Sequence, residues 1–121
     1  MVNYSAEEVA EALRLVSSTI SQCEKMQLKF AEGTSQHTLL QNRIKALYIS
    51  QSFLTEEIFS DKYTKEELMD ALRPISSIIS KCEKGQQKCT EGTPQYSRFT
   101  HIIKAMYISK SSITDEINKR S

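Results

Sequence analysis

The residues able to do chemistry recur in two matched sets. The stretch from Cys23 to Gln36 returns, nearly letter for letter, from Cys82 to Gln95. Lys25, Gln27, Lys29, Thr34 and Gln36 are repeated as Lys84, Gln86, Lys88, Thr93 and Gln95, while Arg43 and Arg98 each add a guanidinium to one copy. Ammonium groups, amide donors and planar guanidiniums gathered near one junction suit an anion, because a guanidinium can contact phosphate through two donors at once. Thr34 and Thr93 also read as helix starts, so two positive helix N-termini would point the same way. Glu32 and Glu91 partly offset this charge and would otherwise accept from a ribose hydroxyl or a base amine. The set predicts a cradle for a small phosphorylated ligand of approximate two-fold symmetry.

A catalytic centre is not expected. His37 and His101 do not occupy matching places in the two copies, and no metal-ligand spacing, nucleophile elbow or glycine-rich phosphate loop is present. The serines at 17, 18 and 21 and their copies at 76, 77 and 80 lack a positioned base and would let helices approach closely. Neither a metal nor a cofactor is called for. Tyr96, at the place of His37, and Tyr48 and Tyr107 beside the apolar seam are the aromatic planes on which a nucleobase would stack.

Four helices have to position these groups. Ser5 with Glu8, and Thr64 with Glu67, are capping boxes, each flanked by an apolar staple, Tyr4 with Val9 and Tyr63 with Leu68. From the first start, Leu13, Val16, Ile20, Cys23, Gln27 and Phe30 follow at alternating spacings of four and three, a single helical face that ends at Gly33. Thr34 caps a second helix whose seam is Leu40, Ile44, Leu47, Leu54 and Ile58. In the copy, Thr93 is followed by Pro94, and Phe99, Ile103, Met106, Ile113 and Ile117 form the seam.

Aligned without a gap, residues 4–62 and 63–121 agree at about half of their positions, the mark of a tandem duplication. Each helix should run about twenty-five residues, about 38 Å. The short connection Ser60-Asp61-Lys62 then predicts an all-α single domain over residues 1–121: a duplicated long helical hairpin folded as an up-down-up-down four-helix bundle with pseudo-two-fold symmetry. A dimer that shares or swaps hairpins is the alternative. Pro74, standing where Leu15 does in the first copy, should kink the third helix.

Composition narrows the partners. Sixteen basic against fifteen acidic residues leave a formal charge of +1, which argues against non-specific nucleic-acid binding. The excess of base lies in the second half and the excess of acid in the first. Three cysteines without a secretory leader point to reduced thiols and a cytoplasmic setting, and no apolar run is long enough for a membrane span. Ala46, Ile49 and Phe53, matched by Ala105 and Ile108 and joined by Ile102, fall on the side of their helices away from the seam. An outer apolar face of this kind predicts a homo-oligomer or a protein-interaction module.

The run Gly33-Thr34-Ser35-Gln36-His37-Thr38-Leu39-Leu40, followed by Arg43-Ile44-Lys45-Ala46-Leu47, resembles short helical proteins of Gram-positive bacteria and their phages and mobile elements. The resemblance covers each hairpin and implies a small soluble non-enzyme. Phage proteins of this size include nucleotide sponges, which bind cyclic-nucleotide immune messengers without cleaving them as an anti-defence measure, and inhibitors acting by surface contact. Two functions are therefore expected in competition: sequestration of an anionic nucleotide-type ligand at the hairpin tips, and protein contact through the outer face.

Overall fold

Both capping boxes form. Ser5 Oγ accepts from the Glu8 N–H while Glu8 accepts from the Ser5 N–H, and Thr64 and Glu67 do the same. In the computed structural model, which describes residues 4–55 and 62–120, these starts open α1 (Ala6–Gln27) and α3 (Lys65–Gln87). Thr34 and Thr93 accept from the N–H of His37 and Tyr96 and open α2 (Ser35–Leu54) and α4 (Pro94–Lys119). The protein is all-helical, with four helices and no strand among the described residues, as a four-helix bundle requires. The Met1-Val2-Asn3 leader, the seam position Ile58 and the connection residues Ser60 and Asp61 lie outside the described residues.

The first and third helices stop sooner than their apolar stripes suggest. After Gln27 the hydrogen bonds tighten to a three-residue spacing, Lys29 N–H to Met26 and Phe30 N–H to Gln27, and the copy does the same at Lys88 and Cys89. Gly33 and Gly92, at φ +88° and +86°, supply the left-handed residue a few positions later, just before the threonine caps. Phe30 still packs against the core from the turn, which explains why the stripe seems to continue the helix.

Within the first hairpin, side-chain bridges join Gln27 to Gln41, Glu24 to Tyr48 and Ser17 to Gln51, so residue numbers fall along α1 as they rise along α2. Consecutive helices pack together, α1 also meets α4, and α2 and α4 touch across the bundle, whereas α1 and α3 make no close approach among the described residues. The two inner helices are thus covered on three sides. Val16, Leu47, Ile75, Met106 and Ile113 are fully buried along the seam.

That arrangement corrects the expectation of an outer apolar face. Ala46, Ile49, Ala105 and Ile108 are 1–2% exposed, and Phe53 and Ile102 pack against the core. A helix with neighbours on three sides needs a wider apolar arc than a single seam, and these residues are the rest of that arc. Ser50 and Ser109 are buried among them, each donating to the carbonyl four residues back, at Ala46 and Ala105. Self-association inferred from this face loses its basis.

Pro74 lies within α3, which runs without a break to Gln87. Lacking an N–H, it leaves the Asp70 carbonyl without its helical donor, and both residues line a cavity of about 530 Å³ between α2 and α3.

Candidate functional site

The helix ends that flank the two turns come together around one groove. α1 contributes Gln22, Cys23 and Met26, and α2 contributes Leu40 and Arg43. α3 brings Lys81, Cys82, Lys84 and Lys88, and α4 brings Gln95, Arg98, Phe99 and Ile102. Its volume of about 610 Å³ falls in the range of small-molecule sites. Its surface is largely apolar, and among the described residues five cationic side chains and no carboxylate line it.

Arg43 is the unusual member. Its side chain is buried, 8% exposed, with Nη2 donating to Ser77 Oγ at 3.0 Å and Nε left without a hydrogen-bond partner. No ion pair to it is formed among the described residues. A buried guanidinium costs folding free energy unless its donors and charge are met, and among the described residues neither the Arg43 Nε nor its charge is met. Burial pushes the Cys23 and Cys82 thiols above their ordinary pKa, with the charges of Arg43 and Lys81 pulling the other way at both. These thiols stay protonated and behave as soft apolar wall.

Of the sequence-derived ligand set, Arg43, Lys84, Lys88, Gln95 and Arg98 line the groove. The others do not. Thr34 and Thr93 are occupied as caps, and each also donates back across its turn, to Ala31 and Thr90. Gln27 donates to Gln41 Oε1 at 2.6 Å, and Gln86 donates to Thr100, so both amides stitch their own hairpin. Lys25, Lys29 and Gln36 are exposed outside the lining. Of the four tip amides only Gln95 lines the groove, Gln27 and Gln86 donating within their own hairpins and Gln36 lying outside the lining.

The aromatic surface also differs from the expected one. Tyr48 donates to Glu24 on an exposed edge, Tyr107 is exposed, and neither lines the groove. Phe99 does, with its ring tip against Gly85, where an added Cβ would stand 2.7 Å from Phe99 Cζ. Met26 and Leu40 hold the corresponding places in the first copy. Lys81, absent from the sequence-derived set, was findable in principle: with Lys84 and Lys88 it completes a stripe spaced three and four along α3.

Among the described residues no group of His, Cys, Asp and Glu side chains could hold a metal ion, and no helix is long and apolar enough to cross a membrane. Compared with known proteins, the chain matches no family model, no curated protein and no solved structure. The functional reading therefore rests on the groove.

Proposed function

We propose that this chain is a non-enzymatic binding protein that sequesters a phosphorylated, nucleotide-type ligand in the groove between its two hairpins. Cyclic-nucleotide immune messengers belong to that ligand class, and capture without cleavage agrees with the non-enzyme that the hairpin resemblance implies. The reading includes an up-down-up-down order of helices and a pseudo-two-fold axis relating the hairpins, which would bring both turns to the groove end. The bridge Lys45–Glu67 between α2 and α3 and the bridge Lys104–Glu8 between α4 and α1 occupy equivalent positions in the two copies and support that symmetry. Three free thiols fit a reducing, cytoplasmic setting.

The observation that carries the proposal is the buried, half-partnered guanidinium of Arg43 in a groove with four more cations and, among the described residues, no carboxylate. A ligand bound only to the folded state raises stability by about 2.7 kcal/mol at a hundredfold excess over Kd. Thermal unfolding of the purified chain with a panel of linear and cyclic nucleotides should therefore show a rise in Tm for at least one of them, and Arg43→Gln should abolish the rise. A panel without a shift would refute the proposal.

A further inference from the structure

The lining of the groove has diverged further than the other duplicated contacts. The side cavity between α2 and α3 holds Lys45, Ala46, Ile49, Glu67 and Ala71, and the cavity between α4 and α1 holds their counterparts Lys104, Ala105, Ile108, Glu8 and Ala12. Those five pairs are the same residue type in both copies; of the other matched lining pairs, Asp70 with Glu11 keeps its charge, and Pro74 with Leu15 and Asn42 with His101 differ. In the groove the matched pairs are Gln22 with Lys81, Met26 with Gly85, Leu40 with Phe99, Arg43 with Ile102 and Thr19 with Ile78; only Cys23 with Cys82 is unchanged.

The divergence has a direction. α3 presents Lys81, Lys84 and Lys88 along one wall, and Arg43 reaches to the same helix through Ser77. The equivalent wall on α1 presents Gln22 and Met26, while Lys25 and Lys29 lie outside it. Arg43 and Lys81 both line the groove and both act on its two thiols, against the larger effect of burial. Met26 on α1 and Phe99 and Ile102 on α4 add uncharged surface to the lining, with Arg98 the one cation that α4 contributes.

We infer that the ligand is itself asymmetric: one compact phosphate group held between Arg43 and the α3 lysines, carried on a flat apolar body that lies against Met26, Phe99 and Ile102. A nucleoside monophosphate has that form. A two-fold-symmetric cyclic dinucleotide does not, because its second phosphate would meet Ile102 where the first meets Arg43, and neither Lys81 nor Arg98 has a basic counterpart in the first copy. This inference rests on the groove being the anion site proposed above. It replaces the symmetric cradle suggested by the sequence repeat.

The test is calorimetric titration of the full chain with four nucleoside 5′-monophosphates, their nucleosides, inorganic phosphate and cyclic di-AMP. At least one monophosphate should bind with one-to-one stoichiometry and at least ten times more tightly than inorganic phosphate, its nucleoside or cyclic di-AMP. Arg43→Gln should weaken it at least tenfold, and Ile102→Arg should not strengthen it. Tighter binding of cyclic di-AMP, lost in Arg43→Gln and improved in Ile102→Arg, would overturn the asymmetry and leave the groove reading standing. Phosphate binding as tightly as every monophosphate would overturn the apolar half of the inference. Binding unaffected by Arg43→Gln, or no binding by any probe, would overturn both readings.

Discussion

Arg43 gives two effects of opposite sign a common origin. With Nε unpartnered and the side chain 8% exposed, the guanidinium is a cost to the empty protein. An apolar side chain of similar reach carries no desolvation cost of this kind. Arg43→Met is therefore expected to raise the Tm of the ligand-free chain, or leave it unchanged, while removing the nucleotide-dependent shift. A fall of several degrees in the ligand-free chain would mean that Arg43 is structural. Gly85 and Phe99 form a second residue-scale device. A methyl group at 85 meets the ring at 2.7 Å, so Gly85→Ala should trade a gain in helix propensity of about 1 kcal/mol against overpacking of about 1–3 kcal/mol. Phe99→Leu would leave a void, yet Gly85→Met with Phe99→Leu recreates the pairing of Met26 with Leu40. Chemical denaturation of the two single variants and the double should give a favourable coupling of about 1 kcal/mol or more. Additive losses would show that the two positions do not compensate.

At the scale of elements, the caps and turns were legible because each depends on a few neighbouring residues. Ser5 with Glu8, Thr64 with Glu67, the threonine caps and the two glycines all act as local chemistry dictates. The burial of α2 and α4 was not legible, since it depends on how many helices surround each one. Ala46, Ile49, Ala105 and Ile108 look superfluous to a single seam, and it is the packing of α3 on α2 and of α1 on α4, together with the meeting of α2 and α4, that places them inside. The same ignorance of neighbours hid the fate of the glutamines: Gln27 and Gln86 find partners across their own hairpins before any ligand is considered. A charged residue at Ile49 or Ile108 should consequently unfold the chain and not separate subunits. Ile49→Asp is expected to cost at least about 3 kcal/mol, read as a large loss of Tm by calorimetry, because it buries a charge without a partner. A variant that stayed folded with unchanged Tm would put this residue back on the surface.

For the whole molecule, the question is what fixes one hairpin against the other so that the groove keeps its shape. Apolar contact supplies most of the adhesion, but the register is marked by Lys104–Glu8 at 2.7 Å and Lys45–Glu67 at 3.8 Å. Glu8 serves both scales at once, since its other oxygen accepts from the Ser5 N–H. The Lys104 contact, followed by that backbone donor, lowers its pKa from 4.5 to about 2, and Glu67 is lowered by the Thr64 N–H and, more weakly, by Lys45. A carboxylate depressed by folding binds fewer protons in the native state than in the unfolded one. Its contribution is complete above pH 4.5, diminishes as pH falls below that value, and is gone once pH drops through about 2. Tm should therefore decline across that interval, and Lys104→Met should shift the decline at the Glu8 site toward higher pH while leaving its capping hydrogen bond in place. Glu8→Gln should remove that part of the pH dependence altogether. Because the two bridges span different helix pairs, Lys45→Met should have the smaller effect, in keeping with its longer contact and its minor part in the Glu67 shift. Equal pH profiles for wild type, Lys104→Met and Glu8→Gln would show that apolar packing alone sets the hairpins' register.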